Sequence, residues 1–72
     1  MNQHFVICIK NDDYLASLEV RKLYQIVPDP DAENSGQLRV IDESGEDYLY
    51  PKEYFISVNL PDATEQAIIK AA

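Results

Sequence analysis

The sequence predicts a small, mostly β domain: five short strands wrapped as a small barrel and followed by a short C-terminal helix. Three observations lead there. β-branched and aromatic residues gather in short runs separated by clusters of Asn, Asp, Pro and Gly, the pattern of strands and turns. A Ser-Gly step joins two of those runs, which is a hairpin signal. Only the stretch after Leu60-Pro61 is patterned for a helix. At 72 residues the chain is one compact unit, too small for a multi-domain enzyme. Residues 1–60 are expected to form the barrel and 61–72 a helix or tail.

Phe5 to Ile9 is apolar on both faces and followed by the turn-forming Asn11-Asp12-Asp13, so it reads as a central strand. Asp12 to Arg21 lacks alternation and reads as a long excursion anchored by Tyr14, Leu15 and Leu18. Lys22 to Val27 is the second strand, with Tyr24 and Ile26 on one face. Pro28 and Pro30 end it because proline donates nothing to a ladder. Asp29 to Gly36 is a polar surface loop with a short helical turn around Ala32 and Glu33, and Gly36 is available for a positive φ.

Leu38 to Ile41 and Tyr48 to Tyr50 flank Asp42-Glu43-Ser44-Gly45-Glu46-Asp47, with Gly45 in the left-handed position of the turn. Mutual repulsion among the four carboxylates places them at an exposed tip. Pro51 permits one tight helical turn over Lys52, Glu53 and Tyr54 before the last strand, Phe55 to Val58. Asp62 has the form of an N-cap, with Glu65 as its reciprocal partner. In that helix Ala63, Ala67 and Ile68 make a docking stripe, while Glu65 and Lys70 face solvent. If no groove accepts the stripe, it becomes a dimer contact.

Composition excludes several functions. Thirteen acidic residues against six basic ones give a net charge of -7, which repels phosphates and anionic membranes, so neither nucleic acid nor membrane is an expected partner. A basic protein or peptide is favoured instead. The single cysteine, Cys8, allows no intramolecular disulfide, which fits a reducing cytoplasm. The start MNQHFVICIKNDD carries neither a signal-peptide pattern nor a span, so a cytoplasmic protein is expected.

Chemistry is hard to find. Cys8 and His4 share a strand face but lie about 13 Å apart by strand rise, too far for proton transfer or for one metal. A core thiol and an exposed terminal imidazole are expected. The run Asp42 to Asp47 lacks the ligand spacing of a calcium loop, and no phosphate loop or zinc spacing occurs. No catalytic residue, metal or cofactor is expected, and the chain reads as a non-enzyme.

Five tyrosines and no tryptophan suggest contact surface, since tyrosine brings a flat face and a polar tip. Tyr24 and Tyr50 are assigned to the core. Tyr14, Tyr48 and Tyr54, together with Pro51 and rimmed by Asp12, Asp13, Glu46 and Asp47, make the expected groove for a basic partner. The alternative is a DNA-mimicking or inhibitor protein whose carboxylates stand in for phosphates on a basic enzyme surface. Asp29, Asp31, Glu33, Asp42, Glu43, Glu46 and Asp47 would have to form its ribbon.

The order of elements resembles that of an SH3-like barrel. The run Cys8-Ile9-Lys10-Asn11, then Ser17-Leu18 before Lys22-Leu23-Tyr24, then Val40 to Asp47 and Tyr50-Pro51-Lys52 before Phe55, resembles a group of small uncharacterised bacterial and phage proteins with SH3-like folds. The resemblance covers residues 6–58 and implies a fold rather than an activity. That group has Gly where this chain has Arg21. Pro51-Lys52-Glu53-Tyr54 is also similar to the proline and tyrosine spacing with which eukaryotic signalling SH3 domains line a polyproline groove, although their tryptophan is missing here.

Overall fold

The computed structural model describes residues 4–71; residues 1–3 and 72, the outer ends of the two expected units, lie outside that range. Five strands, β1 (Phe5–Cys8), β2 (Leu23–Val27), β3 (Gln37–Ile41), β4 (Asp47–Pro51) and β5 (Phe55–Val58), are joined as one antiparallel sheet. Its order is β4-β3-β2-β1-β5. Strand β2 serves two ladders: Leu23, Tyr24 and Gln25 oppose β1, whereas Ile26 and Val27 oppose β3. The sheet is not closed, and β4 and β5 are its two edges.

Alternation selects the core. Val6 and Cys8, Tyr24, Leu38 and Val40, and Tyr50 come from successive strands at a spacing of two, so each strand offers one face. Leu18, Tyr54 and Phe55 complete the cluster, while Phe5 is buried outside it. Cys8 is fully buried, and burial pushes its thiol up despite the bond that Sγ donates to the Lys10 carbonyl.

Between β2 and β3 the short helix α1 (Pro30–Asn34) forms where Asp29 accepts the Ala32 N–H at 3.1 Å and proline occupies the first turn. Gly36 follows at φ 77°. The hairpin between β3 and β4 turns at Gly45 (φ 85°), and a 3₁₀ turn spans Lys52–Tyr54 before β5. These elements lie where the residues predict them.

Four expectations need correction. Leu15 does not anchor the excursion: it is 75% exposed, whereas Leu18 is 0% exposed. The Leu18 N–H donates to the Tyr14 carbonyl at 2.9 Å, closing one helical turn. Residues four apart then share a side, and Leu15 faces away.

The hairpin carboxylates are not all at an exposed tip either. Asp42 is only 7% exposed, whereas Glu43, which pairs with Lys22 and Tyr24, and Glu46 and Asp47 are exposed as expected. Hydrogen bonds to Asp42 from Ser44 in the loop and Tyr50 in β4 outweigh the repulsion that salt and water already weaken.

The third correction concerns the C-terminal helix α2 (Asp62–Ala71). The Glu65 N–H donates to the Pro61 carbonyl at 3.0 Å, so Pro61 occupies the capping position and Asp62 is the first helical residue. Glu65 faces inward at 5% exposure, while Ala63 and Ala67 are exposed and Ile68 is half-buried. Finally, His4 is no free imidazole: its Nδ1 lies 3.0 Å from Glu65 Oε1. A buried carboxylate needs a polar partner, and His4 supplies one.

The turn into β2 is made without glycine. Lys22 N–H closes it on the Glu19 carbonyl, and Arg21, at φ 72°, holds the left-handed position while its N–H donates to the Cys8 carbonyl at 2.7 Å. The same construction occurs at Asn11 to Tyr14, with Asp13 at φ 73°.

Candidate functional site

An open hollow of about 430 Å³ lies between the excursion and the β3–β4 hairpin. Tyr14 and Ser17 form one wall, Asp42 and Ser44 another, and Tyr48, Leu49 and Tyr50 of β4 the third. Strand alternation puts Tyr48 and Tyr50 on one face of β4, and Leu49, between them, also borders the hollow. Tyr50 is buried, and Tyr48 is 50% exposed.

Tyr14 is set by its rings. Its centroid lies 4.9 Å from that of Tyr50 and 5.9 Å from that of Tyr54, both edge to face, the arrangement that aromatic quadrupoles favour. The Tyr54 hydroxyl donates to the Asp12 carbonyl at 3.1 Å, tying the start of the excursion to the 3₁₀ turn.

Asp42 anchors the opposite wall. Its Oδ1 accepts from the Ser44 N–H at 2.8 Å and from the Ser44 hydroxyl at 2.6 Å, and its Oδ2 accepts from the Tyr50 hydroxyl at 2.5 Å. Burial pushes this carboxyl up, but the bonds from Ser44 and Tyr50 outweigh it and hold the group below its ordinary range. Burial, together with the bond to Asp42, pushes the Tyr50 hydroxyl up. The charge of Glu46 raises the exposed Tyr48 hydroxyl, aided by the bond Tyr48 donates to Glu46 Oε1 at 3.3 Å and by Asp42 and Asp47.

Beside the hollow, a second network fastens the excursion. Tyr24 donates to Glu43 Oε2 at 2.5 Å and accepts from the Glu19 N–H at 2.8 Å. Lys22 Nζ lies 2.5 Å from the same Glu43 oxygen, and the Glu43 N–H donates to the Ser17 carbonyl at 3.1 Å. Lys22, and after it Tyr24, hold the Glu43 carboxyl below its usual range. Burial first, then Glu43, pushes the Tyr24 hydroxyl well above that of free tyrosine.

The structure distributes the expected site residues unevenly. Tyr14 and Tyr48 line the hollow. Tyr54 supports Tyr14 from the buried side, and Pro51 is half-buried at the end of β4. Asp12 and Asp13 are exposed in the excursion, Asp12 lying 3.8 Å from Lys10 Nζ. Glu46 sits at the hairpin beside Tyr48, whereas Asp47 is held by Arg39, which also pairs with Asp29.

Sequence reasoning missed Asp42, Ser44, Ser17 and Leu49 as lining, and Tyr50 as a wall of the hollow as well as core. The pattern Asp42-Glu43-Ser44 carried a signal for two of them, because an aspartate accepts from the backbone two residues on. Among the described residues, no group of three or more His, Cys, Asp or Glu side chains is placed to hold a metal ion, and no helix is long and apolar enough to cross a membrane. No protein-family model matches the chain, and neither a curated protein nor a solved structure matches it.

Proposed function

We propose that this chain is a small non-enzymatic interaction module that uses the tyrosine-lined, acid-rimmed hollow to bind a basic protein or peptide. The observation that carries the reading is the composition of the walls: three tyrosines and a leucine offer apolar face, Asp42 and the adjacent Glu46 offer negative charge, and no lysine or arginine lines the hollow. Such a surface attracts cations and gives them rings to pack on.

The strand order supports an SH3-like barrel as the finer description of the fold. A long excursion between the first two strands, a hairpin between the third and fourth and a 3₁₀ turn before the fifth follow that order of elements. A lone buried thiol suits a reducing cytoplasm. The module works as a monomer or as a weak dimer through α2, where Ala63 and Ala67 are exposed.

The DNA-mimic alternative has less support, because it needs unpaired carboxylates in a ribbon. Asp29 and Asp47 are paired with Arg39, Glu43 with Lys22, and Asp42 is buried.

The test is an array of basic, neutral and acidic peptides of equal length, probed with the intact protein. Basic peptides should be retained, with retention falling as salt rises and lost in Tyr48→Ala, a change at a half-exposed ring that leaves the core alone. Equal retention of all three classes would refute the reading.

A further inference from the structure

The ionised groups of this protein differ in one respect. Asp29 has Arg39 and Glu43 has Lys22. Asp42, 7% exposed and held in its charged form, has hydrogen bonds from Ser44 and Tyr50 but no cationic partner among the described residues. Buried charges are ordinarily paired. This one is satisfied by hydrogen bonds alone and stands in the wall of an open hollow, so a cation that enters the hollow meets a negative charge with no counter-charge of its own.

We infer that the hollow holds an arginine side chain of the partner, its guanidinium stacked on Tyr48 and hydrogen-bonded to Asp42 and Glu46. The inference rests on the hollow being the binding site and specifies what enters it. A carboxylate has about four lone-pair positions. Ser44 and Tyr50 take three on Asp42, which leaves one on Oδ2 for a ligand N–H. Glu46 uses Oε1 for the Tyr48 hydroxyl, and the bound side chain donates to its other oxygen.

A guanidinium fits both demands at once. It is planar, so it covers a tyrosine face, and its five donors lie in a fork that reaches two carboxylates. An ammonium is a compact, strongly hydrated point charge that gains less from the ring. The Tyr48 hydroxyl already feels Glu46, Asp42 and Asp47 together, so the negative field is concentrated at the ring that would carry the cation.

The experiment titrates the isotope-labelled protein with acetyl-Gly-Arg-Gly-amide while backbone amide shifts are followed by NMR. Citrulline and lysine versions of the peptide serve as comparisons. Saturating shifts are expected at Ser44, Tyr48 and Leu49, with the arginine peptide binding about tenfold more tightly than either analogue. Asp42→Asn, which keeps the shape and removes the charge, should weaken it by a similar factor. Tyr48→Ala should weaken it even if Asp42→Asn disturbs the hairpin.

Citrulline binding as well as arginine, or lysine binding as well, would overturn the arginine assignment while leaving the hollow a binding site. No shift with any of the three peptides would also overturn it. The peptide array then decides separately whether the module reading survives.

Discussion

Two segments of this molecule are fastened in opposite ways. The segment between β1 and β2, residues 9–22, has no strand and only one helical turn, yet buried Leu18, the Tyr14 ring and hydrogen bonds to Cys8, Tyr24, Glu43 and Tyr54 hold it. Helix α2 has regular backbone bonding throughout, yet it buries only Glu65 and part of Ile68. Regularity and attachment are separate properties. A helix satisfies its own backbone and so needs few partners, whereas an irregular segment must find partners elsewhere in the fold.

The largest effect that sharpens this contrast comes from Leu18. Leu18→Ala should cost about 2–5 kcal/mol, the range for a fully buried leucine whose site collapses incompletely. Ile68→Ala in α2 should cost under about 1 kcal/mol, since its side chain is only partly buried. Urea midpoints of both variants read the difference, and equal losses would show that α2 is as firmly attached as the excursion.

Acid should loosen the β3–β4 hairpin, and with Glu43 its hold on the segment before β2, next. Asp42 and Glu43 have carboxyls below their unfolded values. The stability they add is therefore complete above the ordinary carboxylate pKa of about 4 and disappears as pH falls through the lower folded values. The urea midpoint should stay level from about pH 7 to 5 and then decline, with a shallower decline in Glu43→Gln. A midpoint with no acid limb would mean that these carboxylates do not fasten the loop.

The smallest effect is a gain. Arg21 holds a left-handed φ of 72° with an exposed side chain, at a cost of about 1 kcal/mol that glycine does not bear. Arg21→Gly should raise stability by somewhat less than that, because glycine also loosens the unfolded chain. A lower thermal midpoint would show that the arginine side chain contributes more than its backbone costs.

Much of this was legible in the residues. The alternation in Val6 and Cys8, Leu38 and Val40, the Gly45 turn, Pro51 before the 3₁₀ turn and the prolines after Val27 each mark their element locally. The site was legible in part. Tyr14 and Tyr48 are far apart in the chain, and tyrosine's amphipathic character suggested both for a surface. Asp42 was misplaced because charge alone argues for exposure. Its burial depends on Tyr50 and Ser44 arriving at the same point. Glu65 was misplaced for a similar reason, since helical spacing says nothing about a histidine that precedes β1.

By itself, then, the amino-acid order determined the succession of strands, turns and helix, most of the strand residues that carry the core, and the sign of the molecule's charge, because alternation and turn residues act within a few positions. Tertiary structure decided which carboxylates are paired, which one among the described residues is buried without a cation, and which tyrosines lie beside it. Those outcomes depend on groups brought together from the excursion, the hairpin and β4, and the energy of a buried charge is set by what surrounds it in space.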